Sequence, residues 1–433
     1  MAVVPAERSL PIDARSNLPP VLSDDQTEPT GWRIARLNSH EYRVLLPLAF
    51  VGFFTNYDLG LLTLAAPALA SGLHVSIGSF GVGVAIIRLA AIGSVGTLRL
   101  ADRWGRRRML LATIIVSTIA TASTAAAAGL VAFVVCQVVS RMFLATEEAL
   151  AAVVLTEELR PDRRGAGLSL LGVVATPGFG LVAVLLLVVD STTLGWRLFY
   201  VVALIPLALV AYLRRNLNET RAFVVASDAK RVQQRWWPAI TPADRSNLLR
   251  LSIIFGLVGM LDTTAFFYAA DLAQADYGWS GLFTLIVFAA APATLLGFVV
   301  GGKVSDRIGR KPITLGAVIA FAVGAIVVFT RVRFLYAPGF FVLGGASAGI
   351  HSVRAAFVAE LFPTEVRATL TSFVNAVIVG AGSVGLVVVG LLTEVPASTT
   401  IIGMAVLSTS ALPLLAAVPE PRGRDVVFAE KSL

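Results

Sequence analysis

Charge is scarce in this sequence. Only 14% of its 433 residues are Asp, Glu, Lys or Arg, against about a quarter in ordinary soluble domains. With 56% of the chain hydrophobic, a soluble fold would lack polar cover, and a bilayer is the solvent that fits. Cysteine is nearly absent. Cys136 stands alone inside an apolar run, which excludes an intramolecular disulfide and suits a small buried side chain. No Gly-Lys-Ser or Gly-Lys-Thr loop occurs, so ATP drive is not supported. His, Cys and carboxylates form no metal-ligand spacing, so neither metal nor cofactor is expected, and nothing marks an enzyme. Residues 1–40 hold no apolar core of the signal-peptide kind, so no cleaved leader is expected.

What the chain does have is long apolar runs. A hydrocarbon layer of about 30 Å needs about 20 apolar residues per helix. Counting on that basis predicts twelve spans at 44–70, 77–98, 109–128, 130–156, 168–189, 197–213, 248–270, 281–301, 312–330, 335–359, 369–391 and 399–418. The short connection after the third span leaves room for that span to shift. The fold class is therefore an all-α membrane protein, twelve transmembrane helices in two pseudo-symmetric six-helix bundles. The expected organisation is a tail at 1–40, bundles at 41–213 and 248–418, a charged linker at 214–247 and a second tail at 419–433.

The net charge of +8 is not gathered into one patch, which argues against nucleic acid as a partner. Basic residues instead sit between alternate apolar runs: Arg103, Arg106, Arg107 and Arg108; Arg160, Arg163 and Arg164; Lys303, Arg307, Arg310 and Lys311; Arg367. Connections on the other side hold only Arg197, Arg331 and Arg333. The positive-inside rule then puts both termini in the cytoplasm, with a bacterial inner membrane as the expected location.

Two loops repeat each other. The loop after span 2 reads Asp102-Arg103-Trp104-Gly105-Arg106, and the loop after span 8 reads Asp306-Arg307-Ile308-Gly309-Arg310. Matched positions in the two halves make this an internal repeat. A Gly turn lets two helices reverse within a few residues, and the Asp can meet an Arg or a helix N-terminus. A second pair follows spans 4 and 10: Glu158…Pro161…Arg164 and Glu360…Pro363…Arg367. Pro ends each helix and leaves the acid on its last turn.

On these motifs the chain resembles the major facilitator superfamily over residues 40–420. The Glu–Pro–Arg pair, Asn218-Glu219-Thr220-Arg221 and Pro419-Glu420 resemble its sugar-porter and metabolite–proton-symporter branches. Leu98 opens the first loop where Gly302 opens the second, and span 4 lacks the sugar-porter glycines, so no sugar is assigned. The resemblance implies a cytoplasmic gate made of Asp102, Arg103, Gly105, Arg106, Glu158 and Arg164 in the first half. Its counterpart in the second is Asp306, Arg307, Gly309, Arg310, Glu360 and Arg367.

A charge at the bilayer centre costs about 3 kcal/mol or more, so each one there asks for a reason. Span 1 carries Tyr57 and Asp58, span 2 Arg88, span 4 Arg141, Glu147 and Glu148, span 7 Asp262, span 10 His351 and Arg354. The resemblance places spans 1, 4, 7 and 10 around a central cavity. Arg141 and Glu148, seven residues apart, share one helix face. These residues are the candidates for substrate and proton binding. Each also has a structural alternative: Arg88 paired with Asp58 between adjacent helices, Glu147 turned to a neighbouring helix, His351 and the aromatics as packing. Asp58 or Glu148 opposite Arg141 would carry a proton, and Arg88, Arg141 and Arg354 a substrate carboxylate. The function expected is secondary transport of a small organic acid or sugar-like solute, coupled to protons, by a chain that needs no second copy. Two alternatives stay open: an exporter of amphipathic or cationic compounds, and a membrane sensor without flux.

Overall fold

The computed structural model of the protein describes residues 39–94, 96–98, 106–158, 174–175, 177–214, 240–362 and 364–421. Most of the expected linker and of the two tails lies outside them. Among the described residues there are helices and turns and no strand. The main helices are α1 (Ser39–Leu61), α2 (Ile77–Ala90), α3 (Arg106–Ala125), α4 (Leu130–Glu158), α5 (Pro177–Leu186), α6 (Arg197–Arg214), α7 (Pro242–Asp271), α8 (Ser280–Ala289), α9 (Arg310–Phe329), α10 (Arg333–Leu361), α11 (Thr364–Leu391) and α12 (Ala397–Ser410). Each lies on one of the twelve expected spans. Nine helical stretches among the described residues are long and apolar enough to cross a membrane. Large apolar side chains such as Ile119, Val131, Leu285, Leu295 and Val384 stay exposed, as a lipid-facing surface requires. The third span runs three residues earlier than expected, at Arg106–Ala125.

Two spans are broken where hydropathy predicts continuity. The first stops at Leu61, turns through residues 62–65 and resumes as Ala66–Gly72. Pro67 explains the break: its ring excludes the carbonyl four residues earlier and it offers no N–H. The eighth resumes after α8 as Ala291–Val299, with Pro292 in its first turn, then runs through a π turn at Val300–Val304. The seventh likewise ends in a π turn, Leu272–Asp276.

Within the first half α1 packs on α4 and α5, and α3 on α4; within the second α9 packs on α10 and α7 on α11. An aromatic cluster of Phe80, Phe133, Trp196 and Tyr200 fills the first half, and Trp279, Tyr336, Phe340 and Phe283 the second. The second part of span 8 meets α10 through glycines. A Cβ at Gly297 or Gly301 would strike the carbonyl oxygens of Gly345 and Gly349, so these helices touch backbone to backbone.

Among the described residues the halves meet at the end where α2 begins and α11 finishes. There α2 approaches α11 closely enough for Gly78 and Gly390 to face each other. Thr284 Oγ1 donates to the Ala183 carbonyl at 2.9 Å. Gln274 Nε2 donates to the Leu64 carbonyl at 2.7 Å. Phe80 stacks on Phe267 with ring centroids 6.3 Å apart.

Candidate functional site

Arg141 crosses from α4 to α1, with its Nη1 3.6 Å from Asp58 Oδ2 and both side chains nearly closed off from solvent, at 11% and 4% exposure. The partner of Asp58 is therefore Arg141 and not Arg88. Two turns further along the same face of α4, Glu148 lies open to solvent and within electrostatic reach of Arg141. Glu147 is turned the other way, into the packed interior. The Tyr57 hydroxyl donates to the Phe199 carbonyl at 2.6 Å, so in this state it is bound to the core of its own half.

Across from this pair, α7 and α10 build a second cluster. Asp262 Oδ1 accepts a 2.6 Å hydrogen bond from Ser347 Oγ. Its Oδ2 stands 3.8 Å from His351 Nε2, and the His351 side chain is 49% exposed. The other ring nitrogen, Nδ1, lies 3.4 Å from Arg354 Nη2. Ser347, His351 and Arg354 occupy positions i, i+4 and i+7 of α10 and so form one stripe. They line a recess whose other walls are Phe255, Val258, Ile350 and Ile378. Ser347 escapes a search for ionisable groups, but that stripe spacing would have revealed it.

Arg88, near the end of α2, interacts electrostatically with Arg141 of its own half and with Asp262 of the other. Its Nε is buried without a hydrogen-bond partner. Arg88 thus stands electrostatically between the Asp58–Arg141 pair of one half and the Asp262–His351 pair of the other, repelled by Arg141 and attracted by Asp262.

At the loop end, Arg310 gathers the second-half motif. Its Nη2 lies 2.5 Å from Glu360 Oε1 and 2.6 Å from Asp306 Oδ1, and its Nε donates to Glu360 Oε2 at 3.1 Å. The fork thus grips Glu360 with two bonds. Gly309 turns the chain at φ +121°, a conformation that favours glycine. Arg367 Nε donates to the Phe362 carbonyl at 3.3 Å, and Arg307 is exposed. Glu420 completes the cluster: its oxygens accept from the backbone N–H of Arg310 at 2.7 Å and of Lys311 at 3.0 Å, capping α9. Sequence reasoning noticed Glu420 only as part of a resemblance. In the first half Asp102, Arg103, Gly105 and Arg164 lie outside the described residues. Arg106 and Glu158 end their helices there, with side chains likewise outside.

Known proteins resemble this chain along most of its length. The sequence model of the Major Facilitator Superfamily matches residues 48–298 and 251–432. A "Probable 4-methylmuconolactone transporter" of Cupriavidus pinatubonensis is 27% identical over 339 residues, 76% of this chain and 79% of that one. A gentisate transporter of Corynebacterium glutamicum is 25% identical over 386 residues, 84% of this chain and 83% of its own. Among solved structures, a D-xylose–proton symporter superposes with a TM-score of 0.74 at 17% identity, covering 89% of this chain and all of that one.

Proposed function

The chain belongs to the major facilitator superfamily, and on that premise we propose that it is a proton-coupled symporter of a small organic acid, working by alternating access. It is an integral membrane protein that moves a small solute across the bilayer. The relatives described as a probable 4-methylmuconolactone transporter and a gentisate transporter favour an organic acid as cargo. The observation that carries the reading is the Asp58–Arg141 pair beside open Glu148. A proton on Asp58 cancels the charge that holds Arg141. The freed guanidinium then offers its fork to a substrate carboxylate, so proton and anion are taken together. Departure of one favours departure of the other, and the pair re-forms. Arg88 adds positive charge on the same side of the site.

The bundles at 41–213 and 248–418 would rock about this centre, with both termini in the cytoplasm of a bacterial inner membrane. The Asp306–Arg310–Glu360 cluster and its counterpart around Asp102, Arg106 and Glu158 would latch the loop end, and a single copy suffices. The test is uptake of labelled aromatic and muconate-type carboxylates into liposomes holding the purified protein. Uptake should follow an inward-directed proton gradient and collapse with a protonophore. Carboxylate uptake indifferent to the gradient, or none at all while cationic amphiphiles are carried, would overturn the reading.

A further inference from the structure

The second-half recess lies apart from the Asp58–Arg141 pair and has its own chemistry. Arg354 has donors and no acceptor, and its Nη2 lies 3.4 Å from His351 Nδ1. A proton on that nitrogen would face a donor, so Nδ1 is the acceptor and the ring proton belongs on Nε2. That Nε2 lies 3.8 Å from Asp262 Oδ2, within ion-pair reach but longer than a direct hydrogen bond. Asp262 is held in place from behind, since Ser347 bonds its other oxygen at 2.6 Å. The recess therefore offers, side by side, an acceptor held by Ser347 and a ring donor with a gap between them too wide for a good direct hydrogen bond. The group that satisfies both at once is a hydroxyl, which donates to Oδ2 and accepts from Nε2–H. The apolar walls of Phe255, Val258, Ile350 and Ile378 suit the flat or aliphatic carbon skeleton that would carry it.

We propose that this recess is a specificity subsite that reads a hydroxyl group on the substrate, so that the transported class is hydroxylated carboxylates rather than carboxylates in general. Asp262 and His351 make the contact. Ser347 and Arg354 are positioning residues that fix the carboxylate rotamer and the ring tautomer. The inference rests on the organic-acid reading above and narrows it.

The experiment compares matched probes on the full-length protein in liposomes: benzoate, 3-hydroxybenzoate, 4-hydroxybenzoate and 2,5-dihydroxybenzoate, each competing against uptake of a labelled hydroxybenzoate. At least one hydroxylated acid should compete about tenfold or more better than benzoate, the factor expected of a hydrogen bond to a charged group. In His351→Leu that ratio should fall towards one, whereas His351→Gln, which keeps a donor of similar reach, should retain most of it. Ligand-induced thermal stabilisation of the detergent-purified variants gives the same ratio without transport. A wild-type ratio near one, or a ratio unmoved by His351→Leu, overturns the subsite. Failure of every carboxylate to be carried or to stabilise the protein would instead overturn the organic-acid reading, so the two failures are distinguishable.

Discussion

The amide nitrogen of Gln274 lies 2.7 Å from the carbonyl oxygen of Leu64, joining the π turn after α7 to the break in the first span. The break frees that carbonyl from its helix, and the opposite half takes it up. The bond forms only while this end of the bundle is closed. Gln274→Ala removes about 1 kcal/mol from the closed form, which shifts the equilibrium about fivefold towards the open one. Spin labels at His74→Cys and Glu394→Cys, both exposed at this end, report the change once Cys136, the sole cysteine, is replaced by Ser. The long-distance population should grow in Gln274→Ala and stay at the wild-type level in Gln274→Glu with its carboxyl protonated at low pH.

Asp58 and Arg141 give the second prediction. Asn at position 58 imitates a permanently protonated carboxyl. Asp58→Asn should lower gradient-driven uptake at least about tenfold, the cost of one lost step of 1.4 kcal/mol or more, while exchange of labelled for unlabelled substrate continues. Uptake that still tracks the proton gradient in this variant would move the coupling site elsewhere, with Glu148 as the first place to look.

The Arg310 cluster predicts graded losses of stability for three changes. Arg310→Lys keeps the charge but cannot grip Glu360 with two bonds. It should destabilise the protein by about 1–2 kcal/mol, and Arg310→Ala by about 3 kcal/mol, because Glu360 is then left without its partner. Glu420→Gln keeps one good acceptor for the α9 N-terminus and should cost about 1 kcal/mol. Thermal unfolding in detergent, followed by tryptophan fluorescence, should give melting temperatures that fall from wild type through Glu420→Gln and Arg310→Lys to Arg310→Ala.

Gly78 and Gly390 predict a steric effect on the transport cycle. A Cβ at Gly390 would come 2.7 Å from the Gly78 carbonyl oxygen, too close for α2 and α11 to keep their approach. Gly390→Val should hold this end apart, slow uptake several-fold and lengthen the His74–Glu394 label distance. An equally large residue at Gly403, which has open space around it, should leave both readouts at wild-type values.

How far the sequence discloses this molecule depends on the kind of feature. Hydropathy locates the spans because each helix must be apolar over the membrane thickness, and Arg310–Phe329 or Thr364–Leu391 fall where the count puts them. It does not register the break at residues 62–65, since a turn of Leu, Thr, Leu and Ala is as apolar as a helix; only Pro67 hints at it. Depth along a helix is legible, so Asp58, Arg88 and Arg141 can be ranked by level from residue spacing. Which of them face each other depends on helix rotation and on the gap between halves. Arg88 consequently comes within electrostatic reach of Asp262, while Arg141 pairs with Asp58. Ser347 and Gln274 carry no charge and stand out only once their acceptors are in view.

Glu420 is synthesised 110 residues after Arg310, whose backbone it caps. Until it emerges, the N-terminus of α9 keeps its exposed N–H groups and Lys311 has no Ala416 carbonyl to hold. Insertion of α9 and α10 into the bilayer therefore precedes the contact that fastens them. Completion of the second half is an event of the finished chain, not of the growing one. A chain truncated before residue 420 would be expected to insert normally, yet to present an unfastened loop end to the proteases that survey newly made membrane proteins.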